Sequence, residues 1–220
     1  MLRLRLKHQL ADFALDLDLE CDYPVTAVYG SSGAGKTSLL NIVSGLLRPD
    51  AGEIAIDDQV LFSSDKRINL PPEKRDIGYV FQQDLLFPHL NVEGNLCYGR
   101  DLLPTSAQRF ELAQIIDLLE IGPLLNRRPA NLSGGERQRT AIGRAILSGP
   151  SFLFMDEPLA ALDFARKQEI LPYIATLKKN LKIPIIYVSH QMEEVVRLAD
   201  HLVLLEKGKI LDHGQIFDII

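Results

Sequence analysis

Gly30-Ser31-Ser32-Gly33-Ala34-Gly35-Lys36-Thr37 is the stretch on which the reading of this chain turns. It matches G-x-x-x-x-G-K-[ST], a loop whose glycines let successive backbone N–H groups converge on one anion. Lys36 adds a positive charge toward the outer phosphates of a nucleotide, and the Thr37 hydroxyl is placed to ligate Mg²⁺. Val25-Thr26-Ala27-Val28-Tyr29 ahead of it is β-branched and aromatic, as a strand requires. Behind it, residues 38–47 read as a buried helix, apolar on most sides, whose positive end faces the loop. A Gly/Ser-rich turn that only resembles this loop would lack the strand before and the helix after.

Working outward, the two flanking regions differ in texture. Toward the N-terminus, Met1 to Lys7 alternates apolar and basic residues, and Phe13 to Leu19 alternates apolar and acidic ones. Both read as half-buried strands of an antiparallel layer with one wet face. After a turn at 48–52, residues 53–56 and 59–62 read as a hairpin around Asp57-Asp58, and 63–73 as a polar surface loop. Ile77 to Phe81 is a short strand ending in Gln82-Gln83-Asp84. From about Pro88 to Pro150 the pattern turns helical, with helices expected over 107–119 and 136–147. This stretch is expected to be an inserted helical subdomain of one domain spanning 1–220. Strands at 152–155 and 183–188, helices at 164–177 (kinked at Pro172) and 192–199, and a final pair at 201–205 and 209–213 complete a largely parallel sheet.

The chain has 220 residues and a net charge of −5, from 24 Lys and Arg against 29 Asp and Glu. That balance argues against nucleic acid as a partner. No run approaches the roughly 20 apolar residues of a membrane span, and the alternating N-terminus is unlike a signal peptide. The two cysteines, Cys21 and Cys97, have no metal or redox spacing and read as small hydrophobes of a cytosolic protein.

Ligands of open parallel sheets bind beyond the carboxyl ends of the strands, and four strands here end in polar residues. One delivers the phosphate loop. Another ends in Asp156-Glu157, where a carboxylate closing an apolar strand needs a partner. Mg²⁺ would be that partner for Asp156, and Glu157 is placed to act as general base toward water. Gln82 reads as a Mg²⁺ or water ligand, and His190, after Ser189, as a contact to the γ-phosphate. The bland readings are a capping carboxylate pair, a solvated amide and a structural histidine. His8, His89, His201 and His213 keep the structural reading. Leu132-Ser133-Gly134-Gly135-Glu136 is a second cluster of N–H groups at a helix start. A second copy of the chain, paired about a two-fold axis, would bring each copy's turn to the other's nucleotide. Ser133 and Glu136 also make a capping box, and both readings hold together.

In their order, Gly30–Thr37, Gln82, Leu132 to Glu136, Asp156-Glu157, Ala161-Leu162-Asp163 and His190 resemble the landmark motifs of ABC-transporter ATPases. The resemblance implies an α/β fold of the P-loop NTPase, ABC ATPase type, with a mostly parallel core sheet, an antiparallel β layer and an inserted helical subdomain. It implies ATP and Mg²⁺ as cofactors and a head-to-tail homodimer with Asp163 at its seam. It also implies a membrane permease and an extracytoplasmic solute-binding protein as partners, and a peripheral position at the cytoplasmic face of the membrane. Residues 69–75, 77–82, 86–89, 95–99 and 183–190 further resemble molybdate-importer ATPases. Two departures stand out. Members of that group continue into a small oxyanion-binding β domain, whereas this sequence stops at Ile220 and is read as lacking it. They also stack an aromatic on adenine, for which Phe13 is the nearest candidate. Two rivals fare worse: a non-transport ABC switch, because the motifs occur once and the charge is negative, and a GTPase, because no Asn-Lys-x-Asp element is present.

Overall fold

The computed structural model describes residues 1–220. In chain order its elements open with β1 (Leu2–Gln9), β2 (Ala14–Cys21), β3 (Val25–Tyr29), α1 (Lys36–Ser44), β4 (Ala51–Ile56), β5 (Gln59–Ser63) and β6 (Ile68–Asn69). They continue with β7 (Ile77–Val80), α2 (Val92–Arg100), α3 (Leu112–Leu118), α4 (Gly134–Leu147), β8 (Phe152–Asp156) and α5 (Phe164–Leu181). They close with β9 (Ile185–Ser189), α6 (Met192–Leu198), β10 (His201–Glu206), β11 (Lys209–Gln215) and α7 (Ile216–Ile219). The chain divides into two compact units, Met1–Ile77 with Pro184–Ile220, and Gly78–Ile183. No helix is long and apolar enough to cross a membrane.

In the first unit the strands run β6-β5-β4-β1-β2-β11-β10-β3-β9. The alternation at the N-terminus does what its period demands. Leu2, Leu4 and Leu6 of β1 face inward opposite Cys21, Leu19 and Leu17 of β2, while Arg5 and Lys7 stay exposed opposite Asp18 and Asp16. Each leucine so buried contributes roughly 1.5–3 kcal/mol, whereas the exposed Arg5–Asp18 and Lys7–Asp16 pairs add little by comparison. The antiparallel strands are continuous with the parallel ones: β11 pairs in parallel with β2, and β10 and β9 pair in parallel with β3 on either side. α6 packs against β3 and β9.

The second unit holds β8 beside β7 and the helices α2, α3 and α5 against α4. β8 is buried along its whole length, which accounts for its unbroken apolar run.

Several boundaries differ from the sequence reading, each for a local reason. α1 stops at Ser44 rather than at 47, because Gly45 takes a left-handed φ of 85° and its N–H closes on the Ile42 carbonyl. The 63–73 segment is not all loop: Ile68-Asn69 adds a strand to β5, and Pro72–Lys74 forms a 3₁₀ turn. The helix expected over 107–119 covers only Leu112–Leu118, and α5 outruns its expected end to reach Leu181 before Lys182 caps it at φ 53°.

Candidate functional site

The phosphate loop joins β3 to α1, and its shape depends on residues that only glycine satisfies. Gly33 and Gly35 sit at φ 80° and 103°, and Gly35 is the left-handed N-cap of α1, with no side chain capping the helix. A Cβ on Gly35 would stand 2.6 Å from a Leu15 methyl, and one on Gly30 would stand 2.2 Å from the Leu205 carbonyl oxygen. Lys36 is 5% exposed. Its Nζ donates to the carbonyls of Gly30 (2.9 Å) and Ser31 (3.0 Å), which holds the ammonium inside the loop's curve. Ser31, Ser32, Gly33 and Thr37 are exposed, so the outer rim of the loop faces solvent. Gly208 donates its N–H to the Ala34 carbonyl at 3.0 Å, tying the loop to the β10–β11 turn. Phe13 is half-buried, its ring 3.5 Å from where a Cβ of Gly35 would lie, so it packs on the base of the loop.

In the same unit, β9 pairs with β3 in parallel, with Ser189 opposite Tyr29. Gly30 and His190 therefore leave the sheet side by side at one edge. His190 is exposed, and Ser189 beneath it is buried. The other histidines behave structurally where their contacts are defined. His201 is buried, stacked on Tyr23 with ring centroids 4.5 Å apart, and His8 lies 3.4 Å from Asp50. Cys21 is buried and its thiol is pushed up to about 11 by that burial, as expected of a packing residue.

The second unit holds the carboxylates. Asp156 closes β8 at 4% exposure, and Tyr79 of β7 donates its hydroxyl to Oδ2 at 3.4 Å. Burial, with the Asp156 charge beside it, raises the Tyr79 phenol far above its ordinary value, so it stays a hydrogen-bond donor. Glu157 follows at φ 43°. A left-handed glutamate costs of order 1 kcal/mol or more. Gln82 is exposed in the bend after β7.

Ser133 is the N-cap of α4. It accepts from the Glu136 N–H at 3.3 Å, while the Glu136 carboxylate accepts the Ser133 N–H at 2.6 Å. That backbone hydrogen bond, more than the nearby Arg127 and Arg139, holds the Glu136 carboxyl below its usual range. Gly134 and Gly135 follow in the first turn. Asp163 caps α5 by accepting the Arg166 N–H at 3.0 Å. The two caps are neighbours: a Cβ on Gly134 would stand 3.0 Å from Leu162. A cleft of about 160 Å³ beside them is lined by Ser133, Glu136, Arg139, Arg166 and Tyr173 among others.

Three supports escape sequence reading. Arg75, 1% exposed, donates to the Ile42 and Val43 carbonyls (2.9 and 2.8 Å) and to Leu70 and Asn69. It thus satisfies the tail of the helix whose head is the phosphate loop. Arg137 binds the Asp84 carboxylate at 2.8 Å, and Arg144 donates to the Asp84 and Leu85 carbonyls, fastening the segment after Gln82 onto α4. Glu194, buried in α6, accepts from Ser189 and Tyr187. Arg75 closes the 69–75 stretch, but its bonds to the Ile42 and Val43 carbonyls, like those of Arg137 and Arg144 to the segment after Gln82, exist only in the folded chain.

With the loop, the strand-end residues and the capped serine turn in place, comparison with known proteins gives the family. The model described as "ABC transporter" matches residues 15–160. The molybdenum import ATP-binding protein of Paramagnetospirillum magneticum is 55% identical over 97% of this chain and 59% of its own length. A cbiO1 structure from Clostridium perfringens, part of the ABC transporter complex cbiONQ, superposes with TM-score 0.84 at 27% identity, covering 99% of this chain and 89% of that one. A dimeric ATP-binding cassette in a post-hydrolysis state, bound to ADP and Pi, superposes with TM-score 0.76 at 25% identity, covering 98% and 99%. The chain belongs to the ABC transporter family and has the ABC ATPase fold. It spans between 57% and 61% of the length of the curated relatives it matches.

Proposed function

We propose that this chain is the ATP-hydrolysing subunit of an importer for molybdate or a similar oxyanion. The observation that carries the reading is a phosphate loop with its lysine seated under its own carbonyls, in a chain 55% identical to a molybdenum import ATP-binding protein. The cofactors are ATP and Mg²⁺. Thr37, Gln82 and Asp156 offer oxygen donors only, the set a hard divalent cation takes, and Mg²⁺ bound there would neutralise phosphate charge.

The chain's own residues divide the work in the family's manner. The N–H groups of residues 30–37 and the Lys36 ammonium bind and orient the phosphates. Glu157 takes a proton from the attacking water, and His190 contacts the γ-phosphate. Ser133, Gly134, Gly135 and Glu136 of a second copy, with Asp163 at the seam, close each site in a head-to-tail homodimer. Phe13 is the nearest candidate for the aromatic that stacks on adenine. The helical part at about 88–150 passes closure to a membrane permease, served by an extracytoplasmic solute-binding protein, so that the subunit works at the cytoplasmic face of the membrane without touching nucleic acid. Residues 88–150 act as the inserted helical part of one domain spanning 1–220.

The chemistry is tested with Glu157→Gln, which is expected to keep ATP binding and lose turnover by roughly 10²–10⁴; near-normal hydrolysis removes Glu157 from the base role. The transport reading is tested by expressing the chain in cells that lack their molybdate-import ATPase. Restored molybdate uptake supports it, and ATP hydrolysis without restored uptake assigns the chain to another solute.

A further inference from the structure

We infer that Glu194 is a positioning residue for His190, acting through the Ser189 hydroxyl. The inference rests on the proposed role of His190 at the γ-phosphate. Glu194 lies in the first turn of α6 and is 4% exposed. Its Oε2 accepts two hydroxyls of β9, from Tyr187 and from Ser189, both at 2.9 Å. Tyr187 and Ser189 are two apart on one strand and so share a face, which lets one carboxylate oxygen gather both. The Ser189 Oγ in turn accepts the Gln191 N–H at 3.0 Å. His190 is therefore the residue enclosed by a ring: the serine before it is bonded to the backbone after it, and that serine is fixed from below by a buried carboxylate.

A buried carboxylate is a costly way to fill space, because its desolvation must be offset by hydrogen bonds. An apolar residue at 194 would pack without that cost but would leave the Tyr187 and Ser189 hydroxyls without this acceptor. The carboxylate instead makes bonds to a charged acceptor, which are stronger and more directional than neutral ones. Those bonds converge on the two-residue turn that carries His190 off the sheet edge beside Gly30. Placing a side chain that must meet a transferring phosphoryl group is a matter of fractions of an ångström, and a ring of this kind supplies that restraint.

The test is a double-mutant cycle on the full chain with Mg-ATP, reading kcat and KM for hydrolysis, with ATP affinity as the check on folding. Glu194→Ala and Ser189→Ala are each expected to lower kcat about 10-fold with KM within about two-fold, since positioning acts on the transition state. Glu194→Gln keeps an acceptor oxygen and the volume, so it is expected to fall less than Glu194→Ala and serves as the reporter if the alanine variant does not fold. In a His190→Ala background, Glu194→Ala is expected to add no further loss, because the residue it positions is gone. An equal loss in both backgrounds overturns the inference while leaving the His190 role intact. Wild-type turnover in His190→Ala overturns the His190 role and the inference with it.

Discussion

Two helices of this chain begin at residues suited to an anion, and they are finished in opposite ways. α1 begins at Gly35, which has no side chain to cap it, takes a left-handed φ of 103° and leaves no room for a Cβ beside Leu15. α4 begins at Ser133, where a complete capping box satisfies the Ser133 and Glu136 N–H groups from within. A helix end without a side-chain cap, fronted by an exposed glycine-serine rim and a buried lysine, is built to receive its anion. A helix end that caps itself is stable alone and meets a ligand with what the box leaves over, the Gly134 and Gly135 N–H groups and the serine hydroxyl. On the proposed function, the first end binds and the second completes. This division is what a site shared between two copies of one chain requires.

Substitutions at the two ends are expected to separate them, beginning with the largest effect. Lys36→Ala is expected to weaken ATP binding by about 100-fold or more, near 2.7 kcal/mol, read by nucleotide titration of the purified chain. Gly35→Ala combines a disfavoured φ of 103° with the 2.6 Å approach to Leu15. We expect it to cost about 2 kcal/mol, seen as a lower denaturation midpoint together with weakened ATP binding. Ser133→Ala removes the cap and is expected to cost about 1 kcal/mol. ATP affinity of the monomer should stay within about three-fold while hydrolysis drops at least 10-fold. If Ser133→Ala weakens ATP affinity as severely as Lys36→Ala does, the division between the two ends is broken.

Glu136→Gln has the smallest effect and the clearest pH signature. The Glu136 carboxyl is held below its ordinary value of 4.5 by the Ser133 N–H. A depressed carboxyl contributes stability that is present above the unfolded value and is lost as the pH falls through the folded one. The gap in melting temperature between wild type and Glu136→Gln should therefore be widest near neutrality and close below about pH 4. A gap that is constant across that range would mean the box contributes through shape alone.

The sequence carried some of this and not the rest, for physical reasons. Period-two alternation exposed β1 and β2 because one face of each is wet, and the loop at 30–37 was legible because its glycines and lysine are local to one another. The strand at Ile68-Asn69 was not, since two residues pairing with β5 have no periodicity to read. The left-handed Glu157 left no trace either: nothing in Asp-Glu-Pro requires φ 43°. Arg75 and Glu194 lay hidden because a charged residue is assigned to the surface by default. Their burial depends on acceptors and donors supplied by other elements, carbonyls 33 positions away in the case of Arg75.

The bond from Gly208 to Ala34, and the close approach of Gly30 to the Leu205 carbonyl, bear on how the protein is made. The cradle between β3 and α1 takes its wall from β10 and the β10–β11 turn, which lie far along the chain from it. During synthesis, then, the glycine-lysine signature is complete before the elements that wall it have been made. The shape of the loop is thus set only once the β10–β11 hairpin has docked, and not by its own eight residues.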